Sequence, residues 1–244
     1  MKVSVVMPAY MLSKHIMYSI NIVDKVMKKH YNDYEIIVVD DGSHDDTYVY
    51  ASKFSSYKHI KIFRLPKNMG KGFALLYGYR RSCGDIIVFF DGDLDIDPRQ
   101  IILLVNMLKN NDVDIVITSK WHPDSKTIAS PTRRFLSKSF YYMAKIFLGL
   151  NMNDTQTGAK AFKRYVLDEI SKAMTIKRYA FDIELLVLAS LKKYKIVEVP
   201  ALWKIKLTSR FKIKEIIRMM IDLLAITYRY RIIKYYQKIL NGQK

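Results

Sequence analysis

The first half of the chain alternates short apolar segments with longer amphipathic ones. Valine, isoleucine and phenylalanine dominate five predicted strands, at residues 3–7, 35–39, 60–64, 86–90 and 115–118. Helix-length segments separate these strands, at residues 11–29, 45–56, 70–82 and 98–110. Short strands without polar alternation, separated by helices, are typical of a parallel sheet that is covered on both faces. The pattern therefore predicts an α/β fold.

The second half of the chain has fewer strands and ends in a long amphipathic segment. Its predicted helices and strands lie at residues 131–150, 159–162, 179–192 and 196–199. Between residues 211 and 240, apolar residues recur at helical spacing among many lysines and arginines. No internal repeat or Gly/Ser/Pro-rich linker divides the chain. We therefore expect one domain over residues 1–210 and a basic amphipathic helical tail over residues 211–244.

The charge balance narrows the choice of partners. The 244 residues include 41 Lys and Arg but only 23 Asp and Glu, which gives a net charge of +18. Such a surface favours nucleic acid, anionic lipid or phosphorylated ligands. No helix-turn-helix, zinc or RNA-binding signature accompanies the charge, so nucleic-acid binding is a remote alternative. No run of 18 apolar residues predicts a spanning helix and no leader is visible, so we expect an active site in the cytoplasm.

Polar clusters follow three of the predicted strands at the point where each strand ends. They occupy residues 8–10, 40–43 and 91–93. Ligands of open parallel sheets bind at the carboxyl ends of the strands. We therefore expect these three clusters to meet at one edge and to form the functional site.

The acidic run after the fourth strand indicates a metal site. Asp91 and Asp93 are separated by one glycine and leave a strand that is predicted to be buried. Mg²⁺ is held through one or two carboxylates and keeps positions open for water and substrate phosphates. We therefore predict that Asp91 and Asp93 bind a divalent metal, with Asp95 as a further candidate ligand. Asp97, next to Pro98, is instead predicted to cap the following helix.

Two other segments suit a nucleotide. Asp40 ends the second predicted strand, where a carboxylate can accept hydrogen bonds from a ribose or a base. Lys71 lies between Gly70 and Gly72 at the predicted start of a helix, an arrangement that suits contact with phosphate. The segment lacks the P-loop pattern.

Taken together, these motifs resemble the family 2 glycosyltransferases of the GT-A type. Within that family they resemble the polyprenyl-phosphate (dolichyl-phosphate) mannosyl- and glucosyltransferases. The matching segments occur in the expected order, at residues 5–10, 38–43, 68–74, 91–93, 154–160, 181–185 and 198–200. The resemblance implies a mixed, mostly parallel GT-A sheet with helices on both faces.

The resemblance also implies roles for individual residues. The nucleotide-sugar pocket is expected to contain Pro8, Ala9, Tyr10, Asp40, Asn68, Lys71 and Asp91. The acceptor side is expected to contain Asp154, Gln156 and Gly158, together with Asp182 and Glu184 as candidate catalytic residues. Arg210 stands where the family's acceptor loop commonly has a lysine.

A lipid phosphate is the acceptor that the sequence favours. A phosphate monoester is largely dianionic at neutral pH and needs positive charge rather than a general base. Arg133 and Arg134 supply that charge near the start of a predicted helix, with Ser137 one turn away. If the acceptor is instead a glycan hydroxyl, Asp182 and Glu184 are the candidate bases.

The expected function is inverting, metal-dependent transfer of glucose or mannose to a polyprenyl phosphate. The expected donor is UDP-glucose or GDP-mannose, and the expected cofactor is Mg²⁺ or Mn²⁺. A basic amphipathic helix with interfacial tyrosines suits an anionic membrane surface. We therefore expect the tail to attach the protein peripherally to the inner face of the membrane or to contact another subunit, and we expect no nucleic acid as partner.

Overall fold

A computed structural model describes most of the chain. The described residues are 1–109, 112–125, 131–150, 152, 154, 157–178, 180–202 and 213–242. Within the helices, the side chains of residues 131–138, 140 and 213–216 lie outside this description.

Seven strands form one mixed sheet in the order β3-β2-β1-β4-β6-β5-β7. Their bounds are Val3–Ala9 (β1), Tyr34–Asp40 (β2), Ile60–Arg64 (β3), Ile86–Phe90 (β4), Ile115–Ser119 (β5), Ala159–Lys163 (β6) and Ile196–Pro200 (β7). Strand β6 runs antiparallel to both of its neighbours, β4 and β5. The other four pairings are parallel. The predicted mostly parallel sheet is thus confirmed.

The helices cover both faces of this sheet. Their bounds are Ile16–His30 (α1), Thr47–Ser52 (α2), Lys71–Tyr79 (α3), Gln100–Leu108 (α4), Pro131–Leu148 (α5), Arg164–Ile170 (α6), Phe181–Leu191 (α7), Ile213–Thr227 (α8) and Tyr235–Leu240 (α9). A π-helical turn, Tyr228–Ile232, joins α8 to α9. Alternate strand residues point to opposite faces. On β4, accordingly, Val88 packs with α1 and α4, whereas Phe89 packs with α3, α5, α6 and α7.

The C-terminal tail packs on the same core as α7. Met219, Leu223 and Ile226 of α8 and Tyr236 of α9 are all buried in that core. The amphipathic helix predicted for the tail is thus confirmed, although it is interrupted by the π-helical turn. The predicted boundary at residue 210 lies outside the described residues.

In the described ranges, no helix combines the length and apolar character needed to cross a membrane.

A buried carboxylate stabilises the sheet at the edge opposite the predicted site. Glu35 of β2 is 1% exposed. It accepts hydrogen bonds from the hydroxyl of Ser4 at 2.7 Å, from the Lys61 ammonium at 2.8 Å and from the backbone N–H of Cys83 at 2.6 Å. These partners join β1, β2, β3 and the segment that leads into β4.

We expect Glu35 to make the stability of the fold sensitive to acid. Burial by itself would raise the pKa of Glu35, but the hydrogen bonds from Lys61, Cys83 and Ser4 outweigh burial and lower the pKa to about 2. A carboxylate with a lowered folded-state pKa stabilises the protein above its ordinary pKa, and this stabilisation disappears as pH falls towards the folded-state value. The contribution is about 3 kcal/mol at neutral pH and is expected to disappear between about pH 5 and pH 2. Urea unfolding at several pH values measures it, and a Glu35→Gln variant with the same acid dependence as wild type would contradict the assignment.

Candidate functional site

The carboxyl ends of β1, β2 and β4 meet at one edge of the sheet. Ala9 is paired with Asp40 in register, and Asp91 follows β4 directly. Since β6 is antiparallel, its beginning lies at this same edge: the backbone N–H of Asp91 donates to the carbonyl of Gly158 at 3.0 Å. A β-carbon on residue 158 would overlap with the Asp91 carboxylate, so this approach requires glycine.

An ion pair joins Asp91 to the start of α3. The Lys71 ammonium lies 2.8 Å from each carboxylate oxygen of Asp91. Lys71 is the first residue of α3 and follows Gly70, whose φ of 104° is in the region that favours glycine. The turn therefore brings a cation to the side chain that was predicted to bind a metal.

A second ion pair lies next to the first and is more deeply buried. Lys160, on β6, is 1% exposed, and its ammonium donates to Asp182 Oδ1 at 2.9 Å and to the carbonyl of Thr157. Asp182 belongs to the first turn of α7. Our sequence-based site did not include Lys160. The signal that could have revealed it is a lone lysine within the apolar strand segment 159–162.

The two pairs influence each other electrostatically. Burial by itself would lower the pKa of Lys71, but the carboxylates of Asp91 and Asp182 raise it above its ordinary value. Burial raises the pKa of Asp91, and the charge of Asp93 raises it further although Lys71 opposes the shift. Burial also lowers the pKa of Lys160, against the effect of Asp182. Additional positive charge beside Asp91 would lower the pKa of Asp91 and favour the ionised carboxylate.

The carboxylates after β4 fit a divalent cation that also binds phosphate. Asp91 and Asp93 are both partly exposed, and the N–H of Asp95 donates to Asp93 Oδ1 at 3.1 Å. In the described part of the chain, no three Asp, Glu, His or Cys side chains gather into a metal-binding group. The assignment of Asp91 and Asp93, with Asp95 as a further candidate, stays a prediction. Two carboxylates suffice for Mg²⁺ or Mn²⁺ when substrate phosphates and water complete the coordination.

The nucleotide side of the edge is formed by β1 and β2. Pro8 is half-buried, Ala9 is buried and Tyr10 is 42% exposed. Asp40 is fully buried, accepts a hydrogen bond from the N–H of Ser43 at 3.3 Å and lies 3.3 Å from Nε of Arg64. The oxygen that faces Arg64 is Oδ2, which makes no hydrogen bond within the described residues. A carboxylate oxygen at a strand end that has a nearby cation but no hydrogen bond can still accept a hydrogen bond from a ligand.

Asp41, rather than Asp40, organises the loop before α3. Its carboxylate accepts hydrogen bonds from the N–H groups of Met69 and Gly70, at 2.7 and 2.9 Å. Asn68 in the same loop accepts a long hydrogen bond of 3.4 Å from Arg178. Asp41 was not among the predicted site residues, although the Asp-Asp-Gly-Ser segment contains it. It positions the loop that carries Lys71.

The predicted acceptor side is described only in part. Asp154 is buried; it accepts a hydrogen bond from the Lys120 N–H at 2.9 Å, and its own N–H donates to Glu198 at 3.0 Å. These contacts tie it to β5 and β7. Gln156 and Arg210 lie outside the described residues. Arg133, Arg134 and Ser137 belong to α5, but their side chains also lie outside the description.

Glu184, predicted as a candidate base, lies away from the other acidic side chains of the predicted site. It is fully buried, and its carboxylate accepts hydrogen bonds from Thr175, Ile176 and Tyr236. Residues two apart on an α-helix point about 200° away from each other. Asp182 therefore contacts Lys160 at the site, whereas Glu184 contacts the C-terminal tail.

Comparison with proteins of known structure supports the fold. The crystal structure of glucosyl-3-phosphoglycerate synthase from Mycobacterium tuberculosis, in complex with Mn²⁺, UDP and glucosyl-3-phosphoglycerate, superposes with a TM-score of 0.69. It is 21% identical in sequence, and the match covers 93% of this chain and 78% of that one. This similarity confirms the predicted GT-A fold.

Comparison with curated proteins gives closer relatives. A dolichyl-phosphate beta-glucosyltransferase of Trichomonas vaginalis is 34% identical over 206 residues, which cover 81% of this chain and 61% of the relative. A dolichol-phosphate mannosyltransferase of Pyrococcus furiosus is 30% identical over 217 residues, covering 88% of this chain and 60% of the relative. The human dolichyl-phosphate beta-glucosyltransferase is 32% identical over 181 residues, which cover 70% of this chain and 56% of the relative. The chain thus spans less than two thirds of the length of each of these relatives.

A match to a family model gives the family assignment. Residues 4–171, more than half of the chain, match the family described as Glycosyl transferase family 2. The matched region contains Asp40, Lys71, Asp91 and Lys160. Together with the GT-A fold, this match shows that the chain belongs to glycosyl transferase family 2.

Proposed function

We propose that this chain transfers a hexose, glucose or mannose, from a nucleotide-diphosphate sugar to a polyprenyl phosphate with inversion at the anomeric carbon. The observation that carries the proposal is the cluster of Asp91, Lys71, Lys160 and Asp182 at the carboxyl edge of the sheet. The dolichyl-phosphate relatives support the acceptor class, because they match this chain over most of its length.

The proposed donor side of the site combines a charged side chain with a loop that is held through its backbone N–H groups. Lys71 neutralises Asp91 and, with its raised pKa, stays a cation that can contact the donor diphosphate. Asp41 holds the loop in front of it through two backbone N–H groups. Asp40, whose Oδ2 faces Arg64 but makes no hydrogen bond, is assigned to the ribose or base, and Pro8, Ala9 and Tyr10 to the walls of the nucleotide pocket.

Asp91 and Asp93 would hold the Mg²⁺ or Mn²⁺ ion. When bound, such an ion neutralises charge on the nucleoside diphosphate that leaves the sugar. Burial raises the pKa of Asp91, and a cation beside the carboxylate would lower it again and keep the carboxylate ionised. The glucosyl-3-phosphoglycerate synthase crystals that hold UDP with Mn²⁺ or Mg²⁺ support the choice of ions.

The acceptor side requires positive charge more than a base. A phosphate monoester attacks the anomeric carbon without losing a proton, because it is already dianionic near neutral pH. Arg133, Arg134 and Ser137 on α5, together with Arg210, are proposed to hold that phosphate. Asp182 is in an ion pair with Lys160, and Glu184 accepts a hydrogen bond from Tyr236 in the tail. We therefore assign neither carboxylate as a general base.

Product formation tests the proposal directly. Purified protein is mixed with polyprenyl phosphate, Mg²⁺ or Mn²⁺, and either UDP-glucose or GDP-mannose. The expected result is a lipid-phosphate sugar, formed with one donor and abolished by EDTA. Transfer to a glycan hydroxyl but not to lipid phosphate would overturn the acceptor assignment. No transfer with any donor, by protein shown to be folded, would overturn the function.

We also propose that α8 binds an anionic membrane surface. Besides the stripe that faces the core, the tail has a second apolar stripe that faces solvent: Ile217, Ile221, Leu224, Tyr228 and Ile232, each more than half exposed. Arg218, Arg231 and Lys234 flank this stripe and are exposed as well. An exposed apolar stripe beside cations suits the interface of an anionic bilayer. Attachment to the inner face of the membrane stays a prediction.

Leu224→Glu is expected to weaken binding to phosphatidylserine-containing vesicles by at least about 10-fold, since it removes a leucine side chain from the interface and adds a repelled charge. Vesicle co-sedimentation measures the change. Val49→Glu is the matched control, because Val49 is 55% exposed on α2 and Leu224 is 52% exposed on α8. Equal binding by wild type and both variants would contradict the membrane role of the stripe.

A further inference from the structure

The C-terminal tail is hydrogen-bonded to the interior of the domain at one polar point. Tyr236 of α9 is fully buried, and its hydroxyl donates to Glu184 Oε1 at 2.7 Å. The same carboxylate accepts hydrogen bonds from the N–H and the hydroxyl of Thr175, at 2.9 and 2.6 Å, and from the N–H of Ile176 at 2.7 Å. Tail, helix α7 and residues 175–176 are therefore joined through a single buried carboxylate.

The segment that Glu184 holds continues to the donor loop. Lys177 follows Ile176, and its carbonyl accepts a hydrogen bond from the N–H of Phe73 at 3.0 Å. The same carbonyl lies against Gly70, where a β-carbon would overlap with it. Gly70 and Phe73 enclose Lys71 in the first turn of α3, so residues 175–178 form the surface on which that turn rests.

We propose that Tyr236 and Glu184 are positioning residues for the donor site. They hold residues 175–178 against the first turn of α3 and thereby fix Lys71 beside Asp91. The tail would then contribute to donor binding as well as to membrane contact. This inference rests on the proposed function, because it assigns the donor diphosphate to Lys71.

The hydroxyl of Tyr236 is suited to this task. Burial and the charge of Glu184 raise the pKa of Tyr236, so the hydroxyl keeps its proton and remains a donor. A buried carboxylate that loses one of its donors is incompletely satisfied, and the structure around it shifts to find another partner. The other donors to this carboxylate are Thr175 and Ile176, so we expect their segment to shift.

Amide hydrogen exchange in the full-length chain tests the structural part without any substrate. Tyr236→Phe keeps the ring and removes only the hydroxyl. The Phe73 amide, which depends on Lys177, is expected to exchange about 5–10-fold faster in this variant. The Ile36 amide, which donates to the His59 carbonyl at 2.8 Å and lies away from residues 175–178, serves as the internal reference. Tyr235→Phe, a change of the neighbouring and partly buried tyrosine, is the control and is expected to leave Phe73 unchanged. Unchanged exchange of Phe73 in Tyr236→Phe would overturn the proposal.

Steady-state kinetics test the functional part. In Tyr236→Phe, the KM for the nucleotide sugar is expected to rise about 5–10-fold, and the KM for polyprenyl phosphate is expected to stay as in wild type. If Tyr236 serves stability alone, Tyr236→Phe lowers the midpoint of thermal unfolding but does not change the two KM values differently. That result would overturn the proposal. If the wild-type protein transfers no sugar, the proposed function fails, whereas the exchange experiment still decides whether Tyr236 positions the loop.

Discussion

Replacing Asp91 by asparagine is expected to lower kcat/KM for sugar transfer by about 10³-fold, an effect at the upper end of what one electrostatic group contributes. Asparagine keeps the shape that fits against Gly158, so the fold is retained. The variant loses the charge that pairs with Lys71 at 2.8 Å and one of the two carboxylates proposed to hold the metal. Initial rates at several Mg²⁺ or Mn²⁺ concentrations measure the loss.

Asp85→Asn is the matched control for Asp91→Asn. Asp85 directly precedes β4 at the opposite edge of the sheet, and its carboxylate accepts a hydrogen bond from the N–H of Lys2. The same chemical change at the two ends of one strand separates loss of site charge from a general effect on β4. We expect Asp85→Asn to retain wild-type kcat/KM. If Asp91→Asn retained more than about a tenth of the wild-type value, the electrostatic role of Asp91 would be wrong.

The parallel part of the sheet could be predicted because its strands are apolar on both faces. Such a strand differs clearly in composition from the amphipathic helices on either side of it. The bounds predicted for β3 and β4 therefore agree with the structure. The direction of β6 could not be predicted, because the segment Ala159–Lys163 is short and nothing in its composition distinguishes antiparallel from parallel pairing.

The site was predictable as a set of motifs but not as a set of contacts. The positions of Asp91 and Lys71 follow from a strand end and a helix start, whereas their pairing depends on how α3 packs on the sheet. Glu184 shows the limit of motif reasoning. It lies two residues from Asp182, but the helix directs it to the opposite side, where only the folded tail supplies Tyr236.

The tail illustrates a third limit. Its apolar residues recur at helical spacing, but that spacing alone does not say which of them face the domain. In the structure Met219, Leu223 and Ile226 face the core, whereas Ile221 and Leu224 face solvent. A helix that is apolar on two faces can bury each face against a different apolar surface. Only the fold shows that one of these surfaces is the core that also contains α7.

Lys160→Met is expected to lower the free energy of unfolding by about 3–5 kcal/mol, the cost of removing one partner from a buried ion pair. The Lys160 ammonium is 2.9 Å from Asp182 Oδ1, and both residues are buried. Without it, Asp182 is left as an uncompensated negative charge, and the carbonyl of Thr157 loses its donor. Urea unfolding followed by circular dichroism measures the change.

The double variant Lys160→Met/Asp182→Leu separates stability from function. Replacing both members of a buried ion pair by apolar side chains is often neutral or stabilising, so this variant is expected to regain most of the stability that Lys160→Met loses. It is not expected to regain transfer activity, because it removes the two charges that lie beside the Lys71–Asp91 pair and interact with it electrostatically. A double variant that is both stable and fully active would show that the pair Lys160–Asp182 serves the fold alone. A stable but inactive one would place this pair in the charge network of the site, where Lys71 and Asp91 act with it.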